Sequence, residues 1–533
     1  MKDATLVLNL DSYMKKDIPP GVIYLKKIVQ KSRSNQECSY RILVFCLTFM
    51  AYASFHMTRK PISVVKNSKE FLDCSEDRKF CKSWIAEING KPEDVSMTYL
   101  GLLDTGYLVT YAVSMFFSGF IAERMNLRIF LTAGMIMSGF FTIMFGSART
   151  FGIHSIWYLF FAQILGGIFQ STGWPGVVTV IANWFGKGKR GLIMGIWNSH
   201  TSVGNILGSL IAGSFVSYNW GLSFIIPGLL MCFAGFLIYL FLVPNPQDVG
   251  IVTTNPASSP TYEYSSKSEL HSRPVSTSTL MRAPSSSRLD SPYNSDAEIH
   301  VSPKDEAVGF FNALKIPGVL EFSLCLFFAK LVSYTFLYWL PNYINIVHSV
   351  NAKESAMMST YFDIGGIIGG VLAGLVSDKS GMSATTCTTL LFLAIPTLFY
   401  YESSLSVMCP LVQHNGVPIL NVCFIIHTAF LIIVGILVNG PYALITTAVS
   451  AELGTHKSLM GSSRALATVT SIIDGTGSVG AAVGPFMAGY LSGHGSWTSV
   501  FNMLMLSNVF ALLCLSRLVK GELRRWQRRR YSM

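Results

Sequence analysis

Three cations sit where a cation is costly. Arg59 and Lys60 close the stretch Tyr52-Ala53-Ser54-Phe55-His56-Met57-Thr58-Arg59-Lys60-Pro61, and the residues before it, from Ile42 to Ala53, are almost all apolar. Lys330 lies inside Phe327-Phe328-Ala329-Lys330-Leu331-Val332. At membrane depth such a charge costs from ~2.5 to more than ~10 kcal/mol. It needs a partner, an escape to the headgroups, or an anion to hold. Arginine presents a planar fork that fits phosphate oxygens, and lysine a compact point charge. A phosphate ester, with about −1.5 to −2 charges at neutral pH, suits the pair. Tyr52 and His56 precede Arg59 by seven and three residues, on roughly the same helical face. Tyr111, Asn198, His200 and Tyr334 complete the candidate set. Neighbouring residues point about 100° apart round a helix, so one of Arg59 and Lys60 is expected at the cavity centre, and Arg59 is the choice. Local alternatives are a pair or headgroup contact for Arg59, with Asp104 as partner, and an Asp363 pair for Lys330.

The elements that position these residues are membrane helices. Half the residues are hydrophobic, the mean hydropathy is +0.44 and only 13% are charged. A soluble protein carries about twice that share of charge. Twelve runs approach the ~20 residues that cross a bilayer. They cover 41–66, 98–122, 127–147, 155–183, 191–217, 221–243, 318–348, 355–377, 383–401, 421–449, 465–491 and 496–519. Between the sixth and seventh, 246–308 is rich in Ser, Pro and Thr and reads as a disordered linker. The expectation is an all-α membrane protein of two six-helix lobes, 41–243 and 318–519. A tail at 1–40, a linker at 244–317 and a basic tail at 520–533 complete it. Spans one and seven open the two lobes, so a pseudo-two-fold axis would set Arg59 and Lys330 face to face across a central cavity.

Charge sets the orientation. An even number of spans puts both ends on one side, and 29 of the 40 Lys and Arg fall on that side. Both termini and the linker are therefore expected in the cytosol. The formal charge of +11 reflects this rule and not nucleic-acid binding. The cluster Arg524-Arg525-Trp526-Gln527-Arg528-Arg529-Arg530 reads as a topology anchor, with anionic headgroups as a second use. No cleavable leader is visible, and the first span is expected to act as signal anchor. Cys74 and Cys81 lie in the large loop 67–97, and Cys409 is expected on the same side. A disulfide between two of the three is one reading and free thiols the other. The ten cysteines show no metal spacing, so neither a metal nor a bound cofactor is expected. No nucleophile–base pair stands out, which argues against an enzyme.

One motif occurs twice. Gly119-Phe120-Ile121-Ala122-Glu123-Arg124 ends the second span, and Gly374-Leu375-Val376-Ser377-Asp378-Lys379 ends the eighth. Both read glycine, three residues, acid, base, at matching places in the two halves. The acid and base can latch neighbouring helix ends while the glycine allows close approach. The pair resembles the loop signature of the major facilitator superfamily. Glycines at 166, 167, 204, 208, 365, 366, 369, 370, 475 and 477 suit helices that pack closely and slide.

Within that superfamily the chain resembles the organophosphate:phosphate antiporters. The resemblance rests on Tyr52-Ala53-x-Phe55-x-x-x-Arg59-Lys60, Gly167-x-x-Gln170-x-x-Gly173-Trp174-Pro175, Trp184-Phe185 and Arg190-Gly191-x-x-x-Gly195-x-Trp197-Asn198. The linker and Trp197-Asn198-Ser199-His200 look most like the eukaryotic glucose-6-phosphate exchanger members of the endoplasmic reticulum membrane. The resemblance implies exchange of a sugar phosphate for inorganic phosphate, with Arg59 and Lys330 on phosphate and Asp363 as the eighth-helix acid. This chain departs from relatives at Met115, where they carry lysine, and at Thr201, where bacterial relatives carry histidine. Two other functions remain open on the residues alone. One is uniport or proton-coupled carriage using Asp104, Asp363 and Asp474. The other is a transport-inactive sensor or scaffold signalling through the linker.

Overall fold

The computed structural model describes residues 18–28, 33–68, 71, 94–122, 124–153, 155–185, 190–251, 310–413, 420–454 and 465–531. Glu123, Cys74, Cys81, the side chain of Cys409 and residues 252–309 of the expected linker lie outside the described residues; the linker's described ends carry a 3-10 turn, Pro246–Val249, and a short helix, Phe310–Leu314.

Among the described residues, twelve helical spans are present. The first is Arg33–Arg59 continued by Pro61–Val65, the second Asp94–Ala122 and the third Leu127–Phe151. The fourth joins Ile156–Gln170 to Gly173–Trp184, the fifth joins Arg190–Asn198 to His200–Phe215, and the sixth is Leu222–Phe241. After the linker come Val319–His348, Ala352–Ser380 and Ser383–Gln413 as spans seven to nine. The tenth, Leu420–Leu444, runs on through a π turn, Ile445–Val449, into Ser450–Leu453. Ala465–His494 and Trp497–Tyr531 are the last two.

Sequence chemistry sets the ends. Asn126 accepts a hydrogen bond from the Arg128 amide at 2.9 Å, and Asn351 and Glu354 cap each other's backbone. Gly152 and Gly381 close the third and eighth spans in the left-handed conformation. The breaks within spans one and four fall just ahead of Pro61 and Pro175, which lack the N–H that would continue the ladder.

The halves repeat their packing. Spans 1 and 5, 2 and 4, and 3 and 6 lie together in the first lobe, and 7 and 11, 8 and 10, and 9 and 12 do so in the second. The seam between lobes is made by 2 against 11 and 5 against 8, which the same two-fold relates. Ten of the twelve are long and apolar enough alone to cross a membrane. The other two are the fifth, split at Ser199, and the eleventh, which carries Asp474. Both flank the seam, where protein covers them, so they have less need to be apolar. Trp157, Phe140, Phe233 and Phe392 point outward, as lipid-facing residues do.

Glycines set the closest approaches. A Cβ on Gly480 would strike the backbone carbonyl of Phe327, and one on Gly365 that of Ile432. A backbone cannot yield as a side-chain tip can. Gly480→Ala is therefore expected to destabilise the second lobe by about 1–3 kcal/mol, seen as a lower melting temperature in detergent. Gly521→Ala, with open space around it, should be neutral or stabilising by up to about 1 kcal/mol.

The twelfth helix does not end near 519. It carries the arginine cluster as far as Tyr531, and Glu522 explains why it stays in place. The Glu522 carboxylate accepts hydrogen bonds from the Ala384 amide (3.0 Å), the Thr385 amide (2.8 Å) and the Thr385 hydroxyl (2.7 Å). It thus satisfies the first amides of the ninth span.

A cationic site on the seam between two lobes

Arg59 is buried at the end of the first helix, among aromatic rings. Its Nε donates to Gln170 Oε1 at 2.6 Å, and its Nη1 to the Tyr334 hydroxyl at 3.0 Å. The guanidinium lies 4.7 Å from the Tyr111 ring centre and 6.0 Å from that of Tyr52. Gln170 is held in turn by a 2.8 Å bond to Thr58. Nη2 is buried and makes no hydrogen bond. The fork is therefore oriented on two sides and keeps Nη2, with both its N–H groups, unengaged.

Lys330 answers from the second lobe. Its Nζ lies 2.7 Å from Asp474 Oδ1 and 3.2 Å from Ser478 Oγ. It also stands 5.8 Å from the ring centres of Tyr334 and Tyr442. Tyr334 is thus common to both cations, with its hydroxyl on Arg59 and its ring beside Lys330. The expected meeting of Arg59 and Lys330 takes place through this tyrosine. Asp474 Oδ2 has no partner.

Neither of the two local alternative pairings forms. Asp104 pairs with Lys66 and not with Arg59, and Lys330 pairs with Asp474 and not with Asp363. Lys66 lies seven residues beyond Arg59, two turns further along the same face, level with the start of the second span. For Lys330, the seventh span packs along the eleventh more closely than along the eighth. Lys66 also stands 4.2 Å from the Trp339 ring centre, in the other lobe. Both members of the Lys66–Asp104 pair are fully buried. Asp104→Asn would strand the lysine, and it is expected to cost ~3–5 kcal/mol. Thermal melting should show this loss, and Lys66→Met combined with Asp104→Leu should recover most of it.

Lys60 points away from Arg59, as its position demands, yet it also reaches the other lobe. Its Nζ donates to the Leu337 carbonyl at 3.2 Å. His56 Nδ1 lies 3.2 Å from Asn205 Oδ1, and Asn205 Nδ2 donates to Asp363 Oδ1 at 2.8 Å. Spans one, five and eight are linked by that chain. Asn198 lines the same cleft between lobes, with Oδ1 unpaired. His200 does not reach the cleft. It sits in an aromatic nest with Tyr52, Phe49, Trp174 and Trp197, at ring separations of 4.5–6.5 Å.

The seam is closed at both ends. At one end Asn342 Nδ2 donates to Asn67 Oδ1 at 2.8 Å, beside Lys66 and Trp339. At the other, Asp378 of the second loop motif accepts from the Leu192 amide at 2.8 Å, and Gly195 lies against Gly370. In the first motif the matching acid, Glu123, lies outside the described residues. Arg124 folds back onto its own helix, donating to the Phe120 carbonyl at 2.9 Å. Gly119 and Gly374 are buried, and Lys379 is exposed.

Sequence reasoning left out Gln170, Asn205, Lys66 and Tyr442. Gln170 sits within the Gly167-x-x-Gln170 motif, and Lys66 follows Arg59 at helical spacing, so both carried a signal. Asn205 and Tyr442 lie in glycine-rich spans with nothing local to mark them.

Known proteins resemble this chain in sequence and in fold. The Major Facilitator Superfamily model matches residues 44–469. The chain is 47% identical over 526 residues to the glucose-6-phosphate exchanger SLC37A2 of Mus musculus, covering 96% of this chain and 98% of that one. It is 46% identical over 545 residues to the glucose-6-phosphate exchanger SLC37A1 of Homo sapiens, covering 95% and 96%. Among solved structures, a bacterial homologue of the human lysosomal transporter Spinster, inward-facing and unoccupied, superposes with a TM-score of 0.56. It is 15% identical and covers 91% of this chain and 97% of its own. That likeness concerns the fold alone. The chain belongs to the major facilitator superfamily, and within it to the family of the SLC37A1 and SLC37A2 exchangers.

Proposed function

We propose that this protein exchanges a sugar phosphate, glucose 6-phosphate by preference, for inorganic phosphate across the endoplasmic reticulum membrane, with both termini in the cytosol. The observation that carries the reading is Arg59, which is buried on the seam, oriented by Gln170 and Tyr334, and keeps Nη2 for an anion. Lys330, beside the same tyrosine, supplies the second positive charge once the anion competes with Asp474. Tyr52 and Tyr111 enclose the guanidinium and keep water from it. Either phosphate species presents the same oxygens to these groups. Occupancy offsets the repulsion between two cations on opposite lobes, so the loaded carrier rocks and the empty one returns poorly. The relatives' names as glucose-6-phosphate exchangers support the choice of sugar phosphate.

A proton relay has less support. Asp104, Asp363 and Asp474 are held separately, by Lys66, Asn205 and Lys330, and do not form a chain.

The test is uptake of labelled phosphate into liposomes carrying the purified protein. The vesicles are preloaded with phosphate, with glucose 6-phosphate or with nothing. Exchange requires uptake only into the first two. Equal uptake into empty vesicles would show uniport, and no uptake by folded protein would return weight to a sensor role.

A further inference from the structure

Two clefts of different character adjoin the Arg59–Tyr334 bond, one lined almost entirely by the first lobe and one lined from both lobes. One is lined by Arg59, Tyr107, Gln163, Gln170 and Tyr338. The other is lined from both lobes, with Tyr334 on its wall, and contains no arginine or lysine. Its polar lining includes His56 from the first span, Asn198 and Asn205 from the fifth, Ser333 from the seventh, Asp363 from the eighth and Asn439 from the tenth. Amide, hydroxyl and carboxylate dominate it, with one pair joining the lobes and one within the second lobe. Asn205 donates to Asp363 at 2.8 Å, and Ser333 to Asn439 Oδ1 at 2.7 Å. Asp363 Oδ2 and Asn198 Oδ1 are buried without partners, on residues 2% and 6% exposed. Gly366 forms part of the wall, and a Cβ there would meet both Ser202 and the Asn439 amide.

Charge separates the tasks. A phosphate dianion is repelled by the Asp363 carboxylate and attracted to Arg59 and Lys330. Sugar hydroxyls are both donors and acceptors, so they match a mixed set of amide, hydroxyl and carboxylate groups. With the lobes closed, this cleft has room for little more than a water molecule, so a sugar ring enters only when the lobes part. We infer that this second cleft is the hydroxyl-recognition subsite for the ring of a hexose phosphate, with Asp363, Asn439, Ser333 and Asn198 as its hydrogen-bonding residues. It lies beyond Tyr334 from the phosphate-binding arginine. The inference rests on the exchange reading above and adds the part of the site that tells a sugar phosphate from phosphate itself. Inorganic phosphate would use one subsite, and a hexose phosphate both.

The test is competition binding to the purified full-length protein, with labelled inorganic phosphate as probe. Glucose 6-phosphate and methyl phosphate are the competitors, since methyl phosphate keeps the ester charge and lacks the ring hydroxyls. The wild type is expected to prefer glucose 6-phosphate. Asp363→Asn should reduce that preference, the ratio of the two competition constants, by about 10-fold or more, and Asn439→Ala by about 3- to 10-fold. Asn439→Ala guards against misfolding of the Asp363 variant, because it leaves the Asn205–Asp363 bond in place. A wild type that shows no preference, or variants that weaken both competitors equally, would overturn the subsite. Preference in binding without any counterflow in liposomes would overturn the exchange reading and leave the subsite standing.

Discussion

Arg59→Ala is expected to lower the affinity for phosphate and sugar phosphate together by a factor of roughly 30 to 5,000, with exchange falling accordingly. Removing one partner of a buried, hydrogen-bonded charge pair costs ~2–5 kcal/mol, and each ~1.4 kcal/mol is tenfold. Arg59→Lys should recover little of this. Lysine keeps the charge but not the fork, and the fork lets Gln170 and Tyr334 orient the group while Nη2 stays available. Equilibrium binding of labelled phosphate to the detergent-purified variants measures the loss. Circular dichroism and melting separate it from misfolding. Transport by Arg59→Ala at the wild-type rate would remove the basis of the proposed site.

Lys330 should show two effects that a second substitution can separate. Lys330→Ala leaves Asp474 as a buried carboxylate without its cation, since Ser478 donates to the Asp474 backbone carbonyl and not to the carboxylate. The expected loss of stability is ~3–5 kcal/mol, together with loss of exchange. Adding Asp474→Asn removes the stranded charge and should restore most of the melting temperature. It should not restore exchange, because the second cation is still missing. Recovery of both in the double variant would make Lys330 a structural lysine only. Asp474→Asn alone frees Lys330 from its carboxylate and is expected to tighten phosphate binding. Release would then slow, so turnover falls while half-saturation is reached at lower phosphate.

The expected outcomes differ because sequence encodes some geometry and not the rest. A cation in a long apolar run is visible from solvation cost alone, so Arg59, Lys60 and Lys330 stood out before any helix was placed. Two six-span halves and a repeated loop motif made the two-lobed fold legible in the same way. Partner choice was not legible. Periodicity says which face of a helix a residue takes, but not which residue of another helix stands at its height. Asp104 was a reasonable partner for Arg59 by span number, yet Lys66 meets it at the right level. His200 shows a related limit. It was a candidate by residue type alone, but the helix is interrupted at Ser199, and the ring turns into the Trp174–Trp197 nest. The eleventh span's role beside Lys330 could only emerge once the lobe was packed.

The Glu522 cap fixes the arginine-bearing end of the chain to the second lobe, which makes that end a measuring rod. From Glu522 to Tyr531 the helix rises roughly 14 Å, at ~1.5 Å per residue. A fluorophore near Tyr531 therefore rides rigidly with the second lobe, away from the seam. Paired with a dye on the exposed Tyr218 position of the first lobe, it turns rocking into a change in energy-transfer efficiency. Cutting the chain ahead of Glu522 would remove this rod and also release the Ala384 and Thr385 amides, so a shortened protein is a poor reference for the signal.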